Sequence, residues 1–317
     1  MMRLPTLLTA VCLLVAGGLY AADTDVEGEA RTLLTRAECT GGFIVHLGSG
    51  DGRLTAALGD REGVLVQGLT RERAATERAR ETIREQGSYG RVSVTPLYGD
   101  RLPYIDNLVN LLVVSDECGI PRSEMQRVLV PDGVLLRRTG RRWSLWRKPR
   151  PDDIDDWTHY LHDATNNPVS RDGQVGPPAH MQWIGTPRWA RHHDRMASMS
   201  ALVSNGARIF YIFDEGSTQC VQLPSKWKLI ARDAFNGTVL WKRNIPKWHT
   251  QLWPLKSGPV QLTRRLVAVK DRVFATLGLH APVSIIDADT GRTLRTCDAS
   301  AGAEEILWSD DVLYLLV

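Results

Sequence analysis

The segment His46-Leu47-Gly48-Ser49-Gly50-Asp51-Gly52 constrains this 317-residue chain more than any other. It follows the apolar run Phe43-Ile44-Val45 and precedes Arg53-Leu54-Thr55-Ala56-Ala57-Leu58, which has helical composition. Glycines at alternate positions permit positive φ and let the main chain approach a nucleotide-like ligand closely. The segment therefore predicts a buried strand that ends in a glycine loop opening a helix.

The next hundred residues alternate in the same way. Gly63 to Leu69 reads as a second strand, Thr70 as an N-cap, and the Ala-, Glu- and Arg-rich stretch Arg71 to Gln86 as a helix. Arg91 to Pro96 and Asn107 to Ser115 are further strands, and Ser123 to Leu129 is a helix ended by Pro131-Asp132-Gly133. Gly133 to Arg138 and Trp143 to Arg147 form a hairpin turning at Thr139-Gly140. Strands alternating with helices imply a parallel sheet covered on both faces.

Gly48, Gly50 and Gly52, Gly99-Asp100 with Leu102-Pro103-Tyr104-Ile105-Asp106-Asn107, and Arg127 to Leu135 together give residues 40–138 their family likeness. This part resembles the class I S-adenosylmethionine-dependent methyltransferases. The resemblance implies a Rossmann-like α/β domain over residues 25–150, with Gly48, Gly50, Gly52, Thr70 and Asp100 as the cofactor-binding positions. Asp100 stands where the family reads the adenine amino group. Thr70 stands where the family has the acid that holds the ribose hydroxyls, and His46 stands where it has an acid ahead of the glycine loop. A neutral hydroxyl lacks the charge-assisted bidentate acceptor of a carboxylate.

The second half is of a different kind. All ten tryptophans lie at or after Trp143, and Pro149, Pro151 and the acidic run Asp152 to Asp156 mark a joint, with residues 151–200 as a connecting segment. Short strands and tight turns then repeat over residues 201–317. Ala231 to Trp241 matches Ile285 to Leu294, and Leu202 to Phe210 matches Val267 to Phe274, with a third copy from Leu307 to Tyr314. Asp271 and Asp310 are 39 residues apart, the period of a propeller blade. Asp233-Ala234-Phe235-Asn236-Gly237 followed by Leu240-Trp241 resembles the repeat of β-propellers of the pyrroloquinoline-quinone (PQQ) type; in the second copy Arg295 replaces the Trp. The resemblance implies all-β propeller blades, with PQQ as the cofactor of some relatives. The adjacent Cys-Cys pair of the quinone-dependent dehydrogenases does not occur. About two and a half blades precede Val317, whereas closure takes roughly four to eight. The chain is therefore expected to be a fragment of a longer protein or to close with another chain.

Met1-Met2-Arg3, the apolar run Leu7 to Leu19 and the small residue Ala21 follow signal-peptide grammar, with residues 1–21 removed. This predicts export to a periplasmic or extracellular location, with no transmembrane span after processing. Four cysteines would remain, Cys39, Cys118, Cys220 and Cys297, either paired or as free thiols. The net charge of +3 is local, because removing the seven cations between Arg137 and Arg150 turns it to −4. A two-residue period puts those arginines on the solvent face of a hairpin, so no nucleic-acid partner is expected.

Two further clusters carry chemistry. If Asp155 to Asp163 is helical, Asp155, His159 and His162 share a face and could hold a metal. His192 and His193, within Arg191 to Arg195, are further candidate ligands, or a hydrogen-bonded loop at a propeller mouth. Taken together, these features describe an exported binding or scaffold protein that engages a protein or polymer through its propeller. The alternatives are a PQQ- or metal-dependent oxidoreductase in the full-length parent, or an active methyltransferase.

Overall fold

The computed structural model describes residues 25–117, 119–177, 181–187, 189–191, 198–220, 222–249 and 260–317. The signal-like segment, Cys118, His192, His193 and Trp253 lie outside them.

The first region is a three-layer α/β unit. Helix α1 (Val26–Arg36) starts where the Asp25 carboxylate accepts the Gly28 N–H, and it buries Ala30, Leu33 and Leu34. Then come β1 (Gly42–Leu47), α2 (Arg53–Leu58), β2 (Val64–Thr70), α3 (Arg73–Glu85), β3 (Val92–Pro96), β4 (Val109–Val114), α4 (Arg122–Val128), β5 (Leu129–Thr139) and β6 (Arg142–Arg147). The strands lie in the order β3-β2-β1-β4-β5-β6; the first five are parallel and β6 is antiparallel at the edge. Alternation along each strand divides the core. Ile44, Val66, Leu111, Val113 and Leu136 pack under α1, α2 and α3. Val45, Leu47, Leu69, Leu112, Val114 and Leu135 pack under α4 and the 97–108 loop. Burial of each such side chain stabilises the fold by roughly 1.5–3 kcal/mol. The strand order makes this a Rossmann-like fold, and it places the carboxyl ends of β1, β2 and β4 at one edge.

The second region contains two four-stranded antiparallel sheets and a hairpin. Strands β7 (Met199–Asn205), β8 (Arg208–Asp214), β9 (Trp227–Asp233) and β10 (Val239–Asn244) form the first sheet in sequential order. Strands β11 (Leu266–Val269), β12 (Arg272–Thr276), β13 (Val283–Asp287) and β14 (Thr293–Cys297) form the second. Strands β15 (Glu305–Ser309) and β16 (Val312–Leu316) form the third. The sheets stack face to face through Phe210, Ile212, Leu229 and Trp241 against Leu266, Val273 and Ile286, and then through Phe274 and Val283 against Ile306, Trp308 and Leu313. Among the described residues the stack does not close into a ring.

Three consecutive residues of the connecting segment fasten these sheets. The Trp157 carbonyl accepts the Ser204 N–H at 2.7 Å, the Thr158 carbonyl accepts the Ala268 N–H at 3.0 Å, and His159 Nε2 accepts the Trp308 N–H at 3.0 Å. Each bond satisfies a donor on the first strand of a successive sheet, where no neighbouring strand of that sheet exists.

Three expectations are revised. Residues 155–163 are not helical: a tight turn pairs His159 with His162, and His162 has positive φ. The sheet fastening outweighs local helical spacing there, because it engages the Trp157 and Thr158 carbonyls that a helix would use internally. Strand β5 begins at Leu129 rather than Gly133, because Leu129 pairs with Val109 and a bulge then absorbs Pro131-Asp132. Thr70 ends β2 and is not an N-cap: α3 begins after Glu72, because pairing of Thr70 with Pro96 keeps it in the sheet. Helix α1 adds an element that Asp25 and the Ala30/Leu33/Leu34 spacing encode. Among the described residues, no helix is long and apolar enough to cross a membrane.

Candidate functional site

The glycine loop sits at the carboxyl end of β1. The Gly48 and Ser49 N–H groups donate to the Leu69 carbonyl at 2.9 and 3.1 Å, and Ser115 N–H donates to the Leu47 carbonyl at 3.0 Å, so β2 and β4 clamp the loop from both sides. All three glycines have positive φ, but they do different work. A Cβ on Gly48 would lie 2.6 Å from the Asp116 nitrogen, and one on Gly52 would lie 2.8 Å from the Ala79 backbone on α3. These two glycines permit close packing within the protein. Only Gly50 faces open space, with no atom within 4 Å of its Cβ position.

His46 lies under the loop and is buried. Its Nδ1 meets Thr55 Oγ1 and its Nε2 meets Ser115 Oγ, both at 2.8 Å, which ties β1 to α2 and to the end of β4. Burial pulls its pKa down to about 4, so the imidazole is neutral at pH 7. It is a structural tie in place of an acid.

Thr70 is buried at the end of β2, and Asp100 is exposed in the loop after β3. From the position after Thr70, the Arg71 guanidinium donates to the Gly99 carbonyl at 2.6 Å and stands beside Gly119. A cation thus bridges the loops that follow β3 and β4. Ser49 Oγ is buried without a partner, but it points beneath the loop toward Gly68. Five concavities of 220 to 960 Å³ elsewhere on the molecule are lined by other residues. The glycine loop stands at the carboxyl end of β1, but Thr70 offers no carboxylate where the resemblance implies one, so the residues do not fit S-adenosylmethionine fully.

The opposite edge of the sheet holds the joint between the two regions. Asn110 Nδ2 donates to Asp233 Oδ2 at 2.6 Å, while Asn110 Oδ1 accepts the Phe43 N–H and Asn236 Nδ2, both at 2.7 Å. Asn236 also donates to the Leu108 carbonyl at 3.0 Å. The repeat turn of the first blade-like sheet is therefore plugged into the amino ends of β1 and β4. Burial raises the Asp233 carboxyl above the ordinary carboxylate range, against the hydrogen bond from Asn110. Asn236 lies in the sequence Asn236-Gly237-Thr238, but its side chain is committed to this joint. Sequence reasoning missed Asn110, whose only signal was a polar residue inside an apolar strand.

The histidine cluster is also committed. The His159 ring contacts Thr158 Oγ1 through Nδ1 at 2.7 Å and the Trp308 N–H through Nε2; burial is the chief cause that pulls its pKa down to about 4. His162 Nε2 lies 2.7 Å from Asp155 Oδ2. Burial pushes Asp155 up, but the Arg171 N–H and His162 outweigh it and hold the carboxyl below its usual range. Among the described residues, no group of three or more His, Cys, Asp or Glu is placed to hold a metal ion. Arg191 is buried and paired with buried Asp214 at 3.0 Å. Cys39, Cys220 and Cys297 are free thiols, and burial pushes Cys39 up to about 11.

No protein-family model and no curated protein matches this chain. Among solved structures it is similar to the YcgJ protein of Bacillus subtilis (22% identity, TM-score 0.30, covering 34% of this chain and 49% of that one). It is also similar to the geranyl diphosphate C-methyltransferase of Streptomyces coelicolor A3(2) (20% identity, TM-score 0.32, 35% and 44%) and to the [4+2]-cyclase SpnF (22% identity, TM-score 0.32, 36% and 47%). The chain spans about half the length of these proteins or less.

Proposed function

We propose that this is an exported binding and scaffold protein, in which a methyltransferase-type domain has become a rigid body carrying PQQ-like propeller blades. The observation that carries the reading is the buried Thr70 at the end of β2, where the methyltransferase resemblance implies an acid. A neutral hydroxyl there lacks the charge-assisted bidentate acceptor that a carboxylate would offer the ribose of S-adenosylmethionine. The joint at Asn110, Asp233 and Asn236 supports the scaffold role, since it spends polar side chains on holding the two regions together. Trp227, Trp241 and Trp248 are buried among the sheets, which fits blade packing rather than sugar stacking. A protein or polymer is the partner of the blades.

Calorimetry with S-adenosylmethionine tests this reading. Binding weaker than ~100 µM, about −5.5 kcal/mol, is expected. The variant Thr70→Glu is expected to strengthen it. Tight binding by the unaltered chain, accompanied by methyl transfer, would instead establish the active methyltransferase.

A further inference from the structure

The parallel sheet has two edges, and only one of them is closed. At β3 the outward backbone groups are occupied. The Arg80 guanidinium donates to the Val94 carbonyl at 3.0 Å. The chain before the strand also folds back on it, with the Gly90 N–H donating to the Val92 carbonyl and the Val92 N–H to the Ser88 carbonyl. At β6 the edge is open. The Lys148 N–H donates to the Gly133 carbonyl and the Lys148 carbonyl accepts the Asp132 N–H, so Lys148 faces β5. Backbone direction then alternates along an unbroken antiparallel register. Trp146, Ser144 and Arg142 turn their backbone groups to β5, while Arg147, Leu145 and Trp143 turn theirs outward. The Trp143 carbonyl is taken by the Arg36 guanidinium at 2.8 Å. The outward groups of Leu145 and Arg147 have no partner among the described residues. Such a row of unpaired N–H and C=O groups is a template for a further strand.

The surroundings of β6 select what can pair with it. No Asp or Glu occurs from Gly133 to Pro151. Arg138, Arg141 and Arg142 are exposed at the hairpin tip, and no acidic side chain pairs with them among the described residues. Arg147 pairs with Glu38 at 2.8 Å, but that exposed pair holds its charge only weakly. Charge of one sign guards the edge against a second copy of itself, because two such edges would set arginines beside arginines. The same charge attracts a strand that carries carboxylates. On the α4 face, a 340 Å³ concavity beside the strand has a floor of Ile120, Met125, Leu135 and Trp146 and a rim of Arg122 and Arg137. It lies where every second side chain of an added strand would point.

We propose that β6 is a docking edge for an extended acidic segment of a partner protein. The segment pairs with the backbone groups of Leu145 and Arg147 and turns alternate apolar side chains toward the concavity beside α4. Its carboxylates stand beside Arg138, Arg141 and Arg142. Main-chain bonds supply the attraction common to any strand, and the arginines supply the selectivity. The edge belongs to the α/β region, so this inference is independent of the reading of the blades.

The test titrates a blocked heptapeptide of alternating glutamate and valine into the full chain and follows amide hydrogen exchange. Protection of the Leu145 and Arg147 amides by about tenfold or more is expected at saturation. Binding should be about tenfold tighter than that of the lysine–valine counterpart, and it should weaken with added salt. Leu145→Pro removes an outward N–H and leaves the β5 bonds in place, so the edge keeps its fold while binding is lost. Replacing both Arg141→Glu and Arg142→Glu, at exposed positions, should weaken binding about tenfold with circular dichroism unchanged. The proposal is overturned if the two peptides bind alike, or if the glutamate–valine peptide binds without protecting these amides. It is equally overturned if Leu145→Pro binds as well as the unaltered chain, or if self-association of the chain already protects the edge.

Discussion

The glycine loop of the parallel sheet and the glycine turns of the blade-like sheets use the same backbone freedom to opposite ends. Gly50 has positive φ and opens onto empty space, whereas Gly237 and Gly291 have positive φ and are each covered by an indole, from Trp183 and Trp241. A positive-φ glycine signals a left-handed backbone, and it does not signal whether anything approaches it. In the first region the flanking glycines, Gly48 and Gly52, already show the protein approaching itself. In the second region Gly237 and Gly291 are approached by the protein's own tryptophans, whereas Gly206 meets the Arg208 side chain and Gly302 has no atom within 4 Å.

Substitution at the covered glycines should break this comparison most severely. Gly52→Ala and Gly291→Ala each force a side chain into a left-handed conformation, at about 1–2 kcal/mol, and into a neighbour, at about 1–3 kcal/mol more. Chemical denaturation should show a loss of about 2–5 kcal/mol for each, and the Gly52 change should act on the α/β region. Acid comes next. His46 in one region and His159 in the other both have folded pKa values of about 4, against 6.5 ordinarily. The unfolded chain therefore binds more protons between pH 6.5 and 4, so stability present at neutral pH is lost as pH falls through that window, by about 3 kcal/mol per histidine at its lower end. Urea titrations at pH 7 and pH 4 measure it, and His46→Asn should flatten the pH dependence of the α/β region alone.

Trp183→Phe and Trp241→Phe remove the indole N–H from a carbonyl and the five-membered ring with it, keeping a six-membered aromatic ring, which should cost about 1–2 kcal/mol for each. Melting temperatures should fall in both, and equal falls would sharpen the equivalence of the two staples. Gly50→Ala is the mildest change. It pays only for conformation, about 1 kcal/mol, because no atom stands in the way. Ligand binding that survives Gly50→Ala would separate the loop's open face from any cofactor role.

The residues differ in how far ahead they announced their roles. The strand–glycine–helix turn at 43–58 was legible because periodicity and glycine placement act within a dozen residues. The repeat of Asp233 to Gly237 in Asp287 to Gly291 was legible because the turn chemistry is local. Asp155, His159 and His162 suggested a helical face by spacing, yet they form a turn whose bonds run to Ser204, Ala268 and Trp308. Those partners are 47 to 149 residues away, beyond the reach of any local pattern. Asn110 was silent for the same reason, since its partners Asp233 and Asn236 belong to the other region.

The sequence by itself determined the two kinds of region and the succession of strands and helices along the first, because these follow from local periodicity and turn chemistry. Only the tertiary structure decided that Gly48 and Gly52 face protein, that His46 and His159 are buried and neutral, and that Trp183 and Trp241 play one part. Those outcomes depend on which distant surface arrives at each position, and burial, desolvation and indole packing exist only once it has arrived.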